Sequence, residues 1–189
     1  MASVTVRNGI DVPALLETIE AIKAKPELAE FTFRATTSWQ QGTASTAQIG
    51  AFVHAGDEDE SRTEPFTLEG DEPPVLLGRN EGPNAVELLL AALGFCYSVG
   101  YVANAAARGI EIEQMSYELE GDIDLRNFLG ISQEERPGFS EIRAVAHVKA
   151  VGASEAELKQ LCSYVQETSP VRDVLANGVP VKTTLEVVA

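Results

Sequence analysis

Among the side chains able to attack an electrophile, Cys96 is set apart by its position. It lies about three turns into an apolar run that reads as a long helix, with Leu88, Leu89 and Leu90 before it and Val99 and Val102 after it. Two readings are open. Free cysteine is commonly a small buried hydrophobe. As a nucleophile it would act as the thiolate, and the help of the helix dipole fades beyond the first turn, so a nearby cation would be needed. Arg34, Arg79 and Arg172 are candidate cations. The second thiol, Cys162, shares a helical face with Leu158, Leu161 and Val165 and reads as core.

Other candidates have plain structural explanations. Glu87 stands three residues after Asn84, where a capping-box acid belongs, and reads as a cap before a general base. The run Asp57-Glu58-Asp59-Glu60 reads as a solvated loop, not a cation site. His54 and His147 are far apart and lack metal-ligand spacing. The sequence carries no phosphate-cradling glycine loop and no serine-hydrolase elbow. No metal and no cofactor is expected.

The elements that must position Cys96 follow from patterning. Asp11 to Ala29 carries Leu15, Leu16, Ile19 and Ile22 at helical spacing, predicting an amphipathic helix on the outside of the fold. Strands are predicted at Phe31–Trp39 and Thr43–His54, with Gln40-Gln41-Gly42 as a tight turn, and again at Pro65–Glu69. A dense set of turn formers, from Asp71-Glu72-Pro73-Pro74 to Gly82-Pro83, leads to Asn84. The central helix runs from there to Arg108, with Gly109 as its stop. It is apolar almost all round, so it must be wrapped by other structure. Its small residues, Gly94 and Gly100 among them, would let another helix approach closely.

Downstream, Tyr117, Leu119, Gly121 and Ile123 alternate with acids, and Ile142, Ala144, Ala146 and Val148 alternate with Arg143, Val145, His147 and Lys149. These are long strands with one wet face, on which Arg143 and Lys149 can meet the acidic ladder. Ser154 and Glu157 form a second capping box, Ser169-Pro170 ends that helix, and a last strand is predicted at Val181–Val188. Segregated strands and helices without a βαβ rhythm predict an α+β fold with antiparallel sheet packed on helices.

Composition bounds the partners. The 189 residues fit ordinary domain size, with 44% hydrophobic and 23% charged residues. A net charge of −15, from 29 acids against 14 bases, argues against nucleic acid and against anionic membrane surfaces. The stretch Leu88–Ala103 is shorter than the roughly 20 residues of a membrane span. Met1 to Arg7 holds no signal-like apolar core, and two cysteines without a signal read as reduced thiols, so a cytoplasmic location is expected.

The segment from Gly82-Pro83-Asn84 through Glu87 and Leu93-Gly94-Phe95 to Cys96 resembles the central-helix motif of the OsmC/Ohr family, the osmotically induced and organic-hydroperoxide-resistance proteins. The lead-in Asp71-Glu72-Pro73, the helix end Arg108-Gly109-Ile110, and Ser169-Pro170-Val171 with Gly178-Val179-Pro180-Val181 resemble the OsmC-like branch. The resemblance implies antiparallel curved sheets around long central helices in an intertwined homodimer, with active sites at the dimer interface. It divides the chain into an N-terminal helical extension, residues 1–30, packed on an OsmC-like domain at 31–189.

In the peroxidase members a helix-embedded cysteine is oxidised by an organic hydroperoxide, helped by an arginine and a glutamate, and a second cysteine then forms a disulfide. The resemblance places the peroxidatic cysteine at Cys96. The glutamate position holds Val86, with Glu87 one place off and about 100° away around the helix. The resolving-cysteine position holds Ser169, and the arginine position falls at Gln40 or Gln41. A two-cysteine cycle is therefore not expected. Three functions are compatible with these residues. One is one-cysteine, thiol-dependent reduction of a small hydrophobic peroxide at Cys96, with Arg34 or Arg172 as activating cation, Ser169 on the sulfur and an external thiol as reductant. Another is a dimeric module binding an apolar ligand in an interface cleft lined by Cys96. The third is a stress-related dimer without turnover.

Overall fold

A computed structural model describes residues 6–188. The opening residues that bear on a signal peptide lie largely outside this range. The chain divides in sequence between Ala91 and Ala92 into two compact units.

In the first unit, β1 (Val6–Arg7) and β2 (Ile10–Asp11) form a short antiparallel pair leading into α1 (Val12–Ala24). Asp11 caps α1 by accepting a hydrogen bond from the Ala14 amide at 3.0 Å, and no α1 side chain is buried. Then follow β3 (Phe31–Thr32), β4 (Thr36–Gln41), β5 (Ala44–Ile49), β6 (Phe52–His54), β7 (Asp57–Asp59) and β8 (Phe66–Gly70). They make two three-stranded antiparallel sheets, ordered β3-β6-β7 and β4-β5-β8. Pairing of Thr37 with Ala47, and of Ala47 with Leu68, places Trp39 and Phe66 on the same face as these residues, and both aromatics are open to solvent.

The central helix, α2, runs Ala85–Ala107. Its N-terminus is closed reciprocally: the Glu87 amide donates to Asn84 Oδ1, and the Asn84 amide donates to the Glu87 carboxylate, each at 2.9 Å. At its other end Gly109 takes φ +80°, the Ile110 amide reaches back to the Ala105 carbonyl, and the Gly109 amide reaches the Ala106 carbonyl. That double closure needs a left-handed residue, which is why glycine stands there.

The second unit adds β9 (Glu111–Asp122), β10 (Glu141–Val151), α3 (Glu155–Thr168) and α4 (Pro170–Asn177). β9 and β10 form a long antiparallel ribbon, with Arg143 opposite Glu120 and reaching Asp122, and Lys149 paired with Glu113 at 2.6 Å. Its apolar face, including Tyr117, Leu119, Ile142 and Val148, packs on the core formed by Leu93, Tyr97, Tyr101, Ala105, Ile110, Leu161 and Val165. α2 and α3 approach closely where a side chain on Gly100 would come within 3.2 Å of Val165, so the small-residue reading holds there. The Ser154–Glu157 capping box is present at the start of α3, and Ser169 ends that helix as expected.

Several expectations are corrected. The run Phe31–Trp39 is split between two sheets at residues 33–35, and Thr43–His54 is likewise split into β5 and β6. The turn sits at Gly42-Thr43, with Gln40 and Gln41 inside β4. Asp57–Asp59 is strand β7 paired with β6, since backbone pairing leaves its carboxylates free for other partners, such as Arg34 on Glu58 and the Ser61 amide on Asp59. Residues 181–188 form no strand: no edge among the described residues takes them up, and Val181, Leu185 and Val187 are 84–87% exposed. α2 has the extent expected, but its 23 residues, unlike the shorter stretch Leu88–Ala103, are enough by length and hydropathy to cross a membrane. Leu93, Tyr97, Tyr101, Ala105 and Ala106 are nonetheless buried, which is the role of a core helix. The wrapping is one-sided, for Phe95 and Val99 remain 73% and 71% exposed.

Candidate functional site

Cys96 is half-buried on α2 and in hydrogen-bond contact with Ser169, with Sγ and Oγ 3.1 Å apart. Ser169 is 4% exposed and holds two helix ends at once, as the C-cap of α3 and the N-cap of α4. Its hydroxyl oxygen accepts the Arg172 amide proton at 3.2 Å. With that acceptor role filled by the backbone, the hydroxyl proton is available to the Cys96 sulfur, and a thiolate there would accept it. Pro170 at the first position of α4 has no amide proton, so it starts the helix at no cost in hydrogen bonds.

Around this pair the core is phenolic. Tyr97 is buried beside Cys96, and its ring lies 5.6 Å from that of Tyr117. Burial pushes the Tyr97 hydroxyl above the usual tyrosine range; the positive charge of Arg172 opposes this shift, and both cysteines add to it. Arg172 is thus a cation whose charge reaches the Tyr97 hydroxyl. Tyr101 and Tyr117 are also raised by burial. Cys162 packs against the core, as expected, and accepts a hydrogen bond from the Gln166 side chain at 3.3 Å.

The remaining site expectations fall as follows. Arg34, in the first unit, is engaged by Glu58 at 2.7 Å. Arg79 is paired with Glu81 at 2.7 Å. Glu87 is committed to the helix cap, and His54 contacts the Leu28 carbonyl at 3.0 Å while His147 faces Glu118.

One residue was missed. Asp71 is 4% exposed, and its carboxylate accepts from the Thr43 hydroxyl at 2.6 Å and from the amides of Glu72, Arg79 and Glu81. The Thr43 hydroxyl first, and then those amides, hold its carboxyl pKa well below the usual carboxylate range. It fastens the loop that leads to α2. The available signal was an aspartate opening a run of turn formers, where carboxylates commonly bind nearby backbone amides. In that loop Gly78 is required by contact, since any side chain there would strike the Glu72 carbonyl. Beside Asp71 a cleft of about 280 Å³ is lined by Thr37, Ser45, Ala47, Leu68 and Leu88 among others; Cys96 is not among them.

The family profile for OsmC-like protein matches residues 78–184, more than half of the chain, and includes α2, Cys96 and Ser169. The chain belongs to the OsmC-like family. Solved structures agree on the fold. The OsmC-like protein of Mycoplasma pneumoniae is 18% identical, with a TM-score of 0.59 over 76% of this chain and 86% of that one. An OsmC-like protein of unknown function from Vibrio cholerae is 12% identical, with a TM-score of 0.58 over 76% and 93%. The organic hydroperoxide resistance protein OsmC of Legionella pneumophila is 18% identical, with a TM-score of 0.53 over 80% and 93%. No curated protein matches the sequence. Within the family this chain carries the α+β architecture with antiparallel sheets, and its cysteine site pairs a thiol with a hydroxyl.

Proposed function

We propose that this OsmC-like protein reduces small hydrophobic organic hydroperoxides with Cys96 as its single reacting thiol, in the cytoplasm, and is returned to the thiol by an external reductant. The contact of Cys96 Sγ with the buried Ser169 hydroxyl carries the reading. It gives the sulfur a hydrogen-bond donor that would stabilise a thiolate, with Arg172 as the nearby positive charge. The apolar flank of α2 at Phe95 and Val99 suits an apolar peroxide. Family membership and the hydroperoxide-resistance name of the Legionella relative point the same way.

The same reading makes the working unit a homodimer. On α2, Phe95 and Val99 are 73% and 71% exposed, and a second copy covering them would take that apolar flank out of water.

The test is cumene hydroperoxide reduction by the purified protein with a dithiol donor, beside Cys96→Ser. The expected outcome is turnover in the parent and only background in the variant. Equal rates in both would end the peroxidase reading. A second reading, binding of a small ligand without turnover, is favoured by the cleft beside Asp71. Saturable binding of an apolar dye, unaffected by Cys96→Ser, would support it.

A further inference from the structure

Resting on that reading, we infer that oxidised Cys96 is resolved as a mixed disulfide with a small monothiol from solution, and that Ser169 is the residue imposing this route. The atoms balance in three steps. The Cys96 sulfur takes the terminal oxygen of the hydroperoxide, the O–O bond breaks, and an alcohol leaves; sulfur is oxidised to sulfenic acid and the peroxide is reduced. A small thiol attacks that sulfur, forming an S–S bond and releasing water. A second molecule of the thiol then attacks the adduct, freeing Cys96 and carrying away the oxidised thiol as its symmetrical disulfide.

The geometry argues for this route by what surrounds the sulfur. The group in contact at 3.1 Å is a hydroxyl, which can hydrogen-bond a sulfenic acid but cannot form a disulfide with it. Ser169 cannot easily swing away, because it is buried and caps α4 through the Arg172 amide. The other thiol of the chain sits seven residues earlier on α3. Seven residues bring Cys162 back to nearly the same helical face as Ser169, but about 10 Å along the axis. A disulfide requires Cβ atoms within about 4.5 Å, so Cys162 is out of reach unless α3 slides by most of two turns. That slide would tear out Leu161 and Val165, which are 0% and 2% exposed. The incoming thiol therefore comes from outside, and it finds the sulfur only half-buried.

The experiment is intact-mass analysis and peptide mapping of the full chain after one equivalent of cumene hydroperoxide and then one equivalent of 2-mercaptoethanol, quenched in acid so that no second thiol is left to remove the adduct. The expected product is one mercaptoethanol adduct per chain, on the Cys96 peptide, retained in Cys162→Ser and absent in Cys96→Ser. Ser169→Cys should lose two hydrogens instead, as a disulfide between Cys96 and the introduced thiol, and carry almost no adduct; circular dichroism confirms that it folds. A parallel sample receives 2-hydroxyethyl disulfide without peroxide. Adduct from the disulfide but none from the peroxide would overturn the peroxidase reading while upholding Cys96 as a mixed-disulfide site. A Cys96–Cys162 disulfide, a crosslink between two chains, an adduct from neither reagent, or an adduct undiminished in Ser169→Cys would each overturn the inference.

Discussion

Up to Ala91 the chain keeps its shape without an apolar core, whereas from Ala92 onward it has one. All eight buried hydrophobic residues, Leu93 through Val165, belong to the second unit. Among the described residues of the first, the one side chain under 9% exposure is the Asp71 carboxylate. The first unit is thus held by strand pairing and by a polar fastening, while Phe31, Phe33, Trp39 and Phe66 stay 48–71% exposed. Backbone ladders exchange water hydrogen bonds for internal ones at small net gain, so they rarely hold a sheet alone. The contrast shows where apolar stability is stored within one chain, and the proposed second copy is what would supply it to the other half.

The largest expected effect breaks that outside supply. Phe95→Asp puts a charge on the open flank of α2, where the proposed second copy would bury it. Light scattering should show the mass falling to that of one chain, with hydrogen exchange in β4, β5 and β8 rising well above that in β9 and β10. A parent protein that is already monomeric and protected throughout would remove the basis of the contrast.

Next in size is a loss inside the self-sufficient half. Leu161 is 0% exposed in the core between α3 and α2. Leu161→Ala should cost about 2–5 kcal/mol in urea unfolding, from lost transfer energy and the cavity left behind. A cost below about 1 kcal/mol would show that the site collapses freely and that the core is not close-packed there.

The contrast also explains what the sequence made legible. Periodicity reports the elements that bury one face, so α2, α3, β9 and β10 were readable, and both capping boxes and the Gly109 stop are local chemistry that needs no tertiary context. The first unit buries no apolar face in the chain, so its strand ends carried a weak signal and two predicted strands came out divided. Val181–Val188 alternates like a strand, and pattern cannot tell a strand paired within the chain from one left open. At the site, Cys96 and Ser169 were individually visible, but their 3.1 Å contact depends on how α2 packs along α3. Asp71 was invisible as a fastening because its partners lie as far away as Thr43.

The smallest effect concerns that fastening and has a pH signature. In the folded chain the Asp71 carboxyl is held well below its ordinary value, first by the Thr43 hydroxyl and then by three backbone amides. In the unfolded chain it titrates near the usual aspartate value of about 4. The folded state therefore binds its proton more weakly, and the stabilisation is fully present above about pH 5. It is lost progressively as the pH falls through the unfolded value toward the folded one. Asp71→Asn retains an acceptor oxygen but removes the charge, and its amide group brings protons toward the backbone amides. The urea midpoint should be lower than that of the parent at pH 7, and the gap between the two should begin to narrow as the pH falls below about 4. Parallel midpoints across that range would mean that the charge of Asp71 contributes nothing to holding the loop, leaving strand pairing alone to support the first half of the chain.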